Sequence, residues 1–261
     1  MSWKVIVRSV IGTSHQCQQL PCQDFGDDRV LGDVLIGAIA DGAGSARHSD
    51  IGAKLAVTTA LDYLAATEAW LQKRHHSWDS LPHAPTPETV RKIFTRTVTR
   101  ICDQFSQQAA VDGYSVDDLA CTLLVFLATP HWVAAMQIGD GFIVTRSRTN
   151  DYQLMFQPDK GEFANQTTFV TSANALADMQ VRVVLEQPTF ICAASDAIER
   201  VAIRFSDWTA FPPFFQPLEE YLIETHNPKQ DDDYLIGFLT SERLNQKTDD
   251  DKTLLLGRYC R

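Results

Sequence analysis

Six aspartates stand at the ends of segments patterned as strands, each beside a small residue or a second carboxylate. They are Asp24 in PCQDF, Asp41 in ADGAGS, Asp140 in IGDGF, Asp196 in ASDAIER, and Asp250 and Asp251 in TDDDKTLLL. Magnesium and manganese prefer oxygen ligands in near-octahedral geometry and keep several waters, so short carboxylates from separate loops suit them better than a dense cage. A glycine directly after Asp41 would let the backbone turn and present its own carbonyl, which makes Gly42 a candidate ligand as well. Two such ions roughly 3.5–4 Å apart share a water, lower its pKa and aim it at phosphorus while neutralising the phosphoryl oxygens. That chemistry is hydrolysis without a protein nucleophile.

Each aspartate also has a plainer reading. Asp before Gly is ordinary turn chemistry, which would account for Asp41 and Asp140. Asp196 could cap a helix beginning at Ala197, and Asp249 to Asp251 could be a solvated charge cluster. What favours the joint reading is order: apolar strand-like runs lead into three of them.

The elements that must position these residues follow from periodicity. Trp3 to Ile11 alternates apolar and polar residues as a strand, a polar loop runs from Thr13 to Gln23, and Val34 to Ala40 is a short buried strand. Helical spacing begins at Ser49, through Ile51, Leu55, Leu61 and Leu64, to about Leu71. His75 to Pro87 is a loop. Pro87 opens a second amphipathic helix through Val90, Phe94, Val98, Ile101 and Phe105. A β meander follows, with strands expected at Cys121–Ala128, Trp132–Ile138, Gly141–Arg146, Tyr152–Phe156, Thr167–Thr171, Val181–Leu185 and Thr189–Ala194. Helices are expected around Ile198–Phe205, Phe214–Thr225 and Tyr234–Leu244, and Thr253–Leu256 closes as a strand. This order predicts an α+β fold of sheets packed on each other with helices outside, in a single domain covering residues 1–261. A dinucleotide fold is disfavoured, because Arg47 stands where GxGxxG needs its third glycine after Gly42 and Gly44.

Composition narrows the function. The 261 residues carry a formal charge of −10, and 44% are hydrophobic, a globular balance whose sign repels nucleic acid and anionic lipid. The same charge would repel a phosphate substrate unless bound divalent ions invert it locally. Leu119 to Gly139 carries no Asp, Glu, Lys or Arg and is about the length of a membrane span. Pro130 and His131 divide it, so a buried hairpin is expected and a membrane is not. Six cysteines without a CxxC pair fit ordinary thiols and a cytoplasmic location.

Taken together, GTSHQCQQLPCQDF, IADGAGSARHSDIGA, ACTLLVFLATPHWVAAMQIGDG, FANQTTFVTS, AASDAIER and DDDKTLLL resemble the metal-dependent serine/threonine protein phosphatases of the protein phosphatase 2C family, in particular a bacterial branch. The resemblance extends from about Val5 to Leu256. It implies a four-layer α-β-β-α sandwich, two antiparallel sheets flanked by helix pairs, with two Mn2+ or Mg2+ ions in a cleft at one end. Asp41 would bridge the ions, the Gly42 carbonyl would join one, and Asp196 and Asp250 would hold the other. Asp24 would act through a water, and Asp140 resembles the ligand of a looser third ion. Lys160 to Ser172 lies where the family carries a flap. Phosphorylated proteins would be the substrates, with a cognate Ser/Thr kinase as a further partner.

Three departures accompany the resemblance. Where the family carries a phosphate-binding arginine, this chain reads Gln18, Gln19, Leu20, leaving His15 or Arg8 as replacements. The family's SDG is SDA, so the turn after Asp196 must have ordinary dihedrals at Ala197. Consecutive aspartates leave Asp251 as the alternative to Asp250. The competing functions are a catalytically silent phosphatase-like module that binds a phosphoprotein or regulatory partner, and a metal-dependent nuclease.

Overall fold

The computed structural model describes residues 2–80, 84–156 and 167–260. Two five-stranded antiparallel sheets stack face to face. The first has the order β1 (Ser2–Val10), β12 (Lys252–Cys260), β9 (Pro188–Ala194), β6 (Phe142–Ser147), β7 (Gln153–Leu154). The second has the order β2 (Phe25–Leu31), β3 (Val34–Ala40), β4 (Leu123–Ala128), β5 (Val133–Ile138), β8 (Gln180–Val184). The meander expected from sequence is thus divided between two sheets.

Alternation along the strands sorts their residues into three apolar layers. Leu35 and Ile39 of β3 meet Ile143, Ile191 and Leu255 between the sheets. Ile36 and Ala38 of the same strand face the other way, against Leu61 and Leu64 of α2 (Ser49–Gln72) and Phe94 and Ile101 of α3 (Pro87–Asp112). β3 is therefore buried along its whole length, which is why its sequence reads as a continuous apolar run. Beyond the first sheet, Val144, Cys192, Leu254 and Leu256 pack beneath α6 (Pro212–Glu224), α7 (Asp233–Leu239) and α8 (Glu242–Asn245). The result is the four-layer α-β-β-α sandwich. α3 has sharp ends: Thr86 accepts from the Thr89 amide, Pro87 fills the first turn, and Gly113 at φ +75° closes it.

The stretch Leu119 to Gly139 contains the β4–β5 hairpin, paired from Leu123↔Ile138 to Ala128↔Val133 with every strand residue buried. Among the described residues no helix is long and apolar enough to cross a membrane. All six cysteines are free thiols.

Several elements differ from the sequence expectation. β2 was not expected, because FGDDRVL carries a glycine and two aspartates; it forms by pairing all seven residues with β3 across a turn at Gly32, φ +62°. The polar loop after β1 contains α1 (Thr13–Gln18). Tyr152–Phe156 shortens to β7, and Thr167–Thr171 is not a strand: in both places apolar side chains pack from loop backbone. A short helix, α4 (Ala175–Asp178), precedes β8. The helix expected at Ile198–Phe205 is cut down to a 3-10 turn at Asp196–Ile198 and α5 (Glu199–Ala202), since β10 (Ile203–Arg204) pairs with β11 (Thr209–Ala210).

Helix α2 approaches the 3-10 turn Val116–Leu119 so closely that a Cβ on Gly52 would lie 2.1 Å from the Leu119 carbonyl oxygen. Helix propensity alone would make Gly52→Ala stabilising by about 1 kcal/mol. The close approach reverses the sign, so urea unfolding of Gly52→Ala is expected to show a loss of about 1–3 kcal/mol.

Candidate metal centre

Strand register carries the aspartates to one end of the sandwich. β2 and β3 pair as far as Phe25↔Ala40, so the next two residues outward are Asp24 and Asp41. The Asp41 backbone is fixed from β4's side: its amide donates to Thr122 Oγ1 at 3.0 Å, and its carbonyl accepts from the Thr122 amide at 2.8 Å. The Gly42 amide donates to the Gln23 carbonyl at 3.1 Å, tying the two loops together. A Cβ at Gly42 would stand 2.8 Å from both that carbonyl oxygen and Ser49 Cβ, so close approach requires this glycine; its φ is not positive.

In the other sheet, Ala194 of β9 lies between Phe142 of β6 and Leu254 of β12. Carrying that register outward aligns Asp140, Asp196 and Lys252 along one edge. Gly139 and Gly141, at φ +87° and +89°, frame Asp140, whose carboxylate accepts from Thr167 Oγ1 at 3.0 Å. Asp196 opens a 3-10 turn in which Ala197 has no positive φ, the ordinary geometry that SDA in place of SDG demands.

Burial and mutual repulsion push these carboxyls up together. Asp24 is 4% exposed, and burial first, with Asp251 adding repulsion, raises its pKa to about 7; Ser195, Asp41 and Thr253 beside it act in the opposite direction. Asp41 is pushed well above the usual carboxylate range, chiefly by burial and then by Asp24, Asp196 and Asp250. Asp196 rises to about 6 through burial, then Asp140, with Asp250 contributing. These mutual effects put Asp24 and Asp41 of one sheet's end and Asp196 of the other's within electrostatic reach of one another.

The residues fit a hard divalent cation. Among the described residues, neither buried oxygen of Asp24 has a hydrogen-bond partner, although a buried carboxylate normally has several. The donor atoms are all oxygens, as magnesium or manganese requires. Asp251 is differently used: Oδ1 accepts from the Gly12 amide at 2.6 Å, and Oδ2 from the Gln23 amide at 2.5 Å. His15 Nδ1 lies 2.9 Å from the same Oδ2. Potential ligand atoms of His15, Asp250 and Asp251 lie within 4.8 Å of one another, so Asp250 and His15 share the rim. Asp250 is exposed, one of its oxygens accepting from the Asp251 amide at 2.8 Å.

Arg8 is not brought to this point. Its guanidinium donates to Asp232 at 2.6 Å and to the Lys229 carbonyl at 3.0 Å, so its bonds run toward the segment around α7. Of the expected flap, Lys160–Gln166 lies outside the described residues; Thr167–Ser172 docks on the centre through Thr167 and through the Val170 amide on the Cys121 carbonyl at 2.9 Å. Sequence reasoning missed Thr122, Ser195, Thr253 and Lys252. Ser195 bridges to the last strand, its Oγ accepting from the Thr253 amide at 3.0 Å. The only signal for these was a polar residue within an apolar strand sequence.

Comparison with known proteins identifies the family. The protein phosphatase 2C family model matches residues 11–239. Serine/threonine-protein phosphatase 3 of Escherichia coli (strain K12) is 33% identical over 270 residues, covering 100% of both chains. The serine/threonine phosphatase of S. agalactiae superposes with a TM-score of 0.64 at 15% identity, covering 99% of this chain and 100% of that one. RsbX in complex with magnesium gives 0.56 at 12% identity, covering 98% and 95%. The chain belongs to the protein phosphatase 2C family.

The raised carboxyl pKa values fix a pH dependence. A carboxyl that holds its proton more tightly when folded costs stability as pH climbs from its unfolded value through its folded one. For Asp24 and Asp196 that window runs from 3.8 to about 7 and about 6. Metal-free protein is therefore expected to lose stability between about pH 4 and 7, and Asp24→Asn to be more stable than wild type at pH 7.5 by ~1–3 kcal/mol. Thermal unfolding in chelator at several pH values measures both.

Proposed function

We propose that this protein is a metal-dependent phosphatase that removes phosphate from phosphoserine and phosphothreonine in proteins. The observation that carries the reading is the mutual electrostatic effect of Asp24, Asp41 and Asp196 at the ends of two sheets, with Asp24 4% exposed. Two Mn2+ or Mg2+ ions would be held by Asp41 and the Gly42 carbonyl on one side and by Asp41, Asp196 and Asp250 on the other. Asp24 would join through water, and Asp140 would serve a weaker third ion. When bound, the ions supply the acidified water and the neutralising charge for attack at phosphorus.

The chain's own contributions are orientation and charge. Thr122 and Gln23 hold the Asp41–Gly42 backbone from both flanks. Ser195 and Thr253 stand next to Asp24 and lock β9 to β12, keeping carboxylates of the two sheets in register. Asp251 serves as a brace, tying Gly12, His15 and Gln23 to the start of β12. His15, oriented by Asp251 through Nδ1, leaves Nε2 for a phosphate oxygen, and it takes the place of the missing arginine. Arg8 is not assigned that role in this reading, because its guanidinium donates to Asp232. Hydrolysis of protein phosphoesters requires a kinase that forms them, so a Ser/Thr kinase acting on the same proteins is the matching partner activity. Free thiols in all six cysteines accord with a cytoplasmic setting.

The decisive experiment is turnover of a phosphothreonine peptide with and without manganese. Asp41→Asn is expected to lose both metal affinity and turnover, at least about 10²-fold. His15→Ala is expected to raise KM about tenfold with a smaller change in kcat, as loss of a charge-assisted hydrogen bond to substrate would. A chain that binds the peptide at saturating manganese and leaves it intact would instead be a silent binding module.

A further inference from the structure

Lys252 opens β12 beside the acidic cluster and is 1% exposed. Among the described residues it is the only lysine or arginine so buried. Alternation places it on the same strand face as Leu254 and Leu256, which pack into the apolar layer beneath α6 to α8. An ammonium in such a place is costly unless opposite charge surrounds it. Here it is surrounded: its Nζ donates to the Asp250 carbonyl at 2.9 Å, and Asp251, Asp250, Asp24 and Asp249 all lie within electrostatic reach. Nothing in the hydrolytic reaction described above uses this side chain.

We propose that Lys252 is a built-in counter-cation of the acidic cluster, which lets the metal-free centre stay folded and sets how tightly divalent ions bind. The inference rests on the reading of the cluster as a metal centre. A fixed positive charge in a low-dielectric surround offsets repulsion among the carboxylates when no ion is present, and repels an incoming cation. Its two effects therefore have opposite signs: it stabilises the empty centre and weakens the filled one. A lysine that merely anchored the Asp250 carbonyl would act otherwise, because its loss would loosen Asp250 and weaken binding of the ion.

Lys252→Met keeps the length and the apolar stem while removing the charge, and Lys252→Gln, carried in parallel, keeps a donor without charge. Manganese titration by calorimetry and thermal unfolding, each in chelator and in saturating manganese, are measured on both variants and on wild type. Lower thermal stability in chelator is expected, with a larger rise on adding manganese and a dissociation constant smaller by about fivefold or more. A variant that folds only when manganese is present meets the same expectation. Unchanged or weaker manganese binding by the folded variants overturns the counter-cation role while leaving the metal centre intact. Wild-type protein that takes up no manganese overturns the metal-centre reading itself, and this inference with it.

Discussion

Like charges held together in a poorly solvated place are the constraint around which this molecule is built. Asp24 and Asp41 face each other at the outer end of the β2–β3 pairing, and Asp196 reaches them from the other sheet. Left to themselves these carboxylates would separate into water, and each resists ionisation because of the others. The force that opposes them is distributed: three apolar layers fix two sheets, and the sheets fix the chain ends that bear the charges. An arrangement unfavourable when empty is one that a divalent cation would relieve, and occupancy by such an ion would then add to the stability of the fold.

That distribution explains what was legible in the sequence. β3, β4 and β5 were readable because strands covered on both faces become unbroken apolar runs, and α2 and α3 because their buried stripes recur at helical spacing with Pro87 marking a start. β2 escaped because an edge strand with Asp27, Asp28 and Arg29 has no such signature; it exists through its pairing with β3, a tertiary fact. The short helices after Asp196 were blurred for a related reason. The helix expected at Ile198–Phe205 stops at Ala202, because Ile203 and Arg204 pair with Ala210 and Thr209 in a two-stranded ribbon.

The candidate site was legible in its carboxylates and silent in their supports. Aspartate next to glycine at a strand end is visible in a string of letters for Asp41 and Asp140, and the family resemblance adds Asp24, Asp196 and Asp250. The glycines proved to serve different ends: Gly139 and Gly141 supply positive φ, while Gly42 supplies room against Gln23 and Ser49. Thr122 and Ser195 could not be singled out, because their roles depend on which backbone amides lie opposite, and that is set by registers between strands 58 to 81 residues apart in the chain.

The pair Asp250 and Asp251 shows how far identical letters can diverge. The two residues precede β12 and each brings a carboxylate oxygen within 4.8 Å of the other's, yet Asp251 is buried and Asp250 is exposed. Asp251 turns inward, where three donors from the α1 loop compensate its burial, and it thereby fastens that loop to the sheet. A carboxylate so fully engaged has little capacity left for a cation. Asp250 turns outward with an oxygen to spare, at the rim where Asp41 and Asp196 sense its charge. Hydrogen-bond capacity thus distinguishes the two: Asp251 braces Gly12, His15 and Gln23, and Asp250 keeps an oxygen free beside it, the basis on which Asp250 is proposed as the ligand.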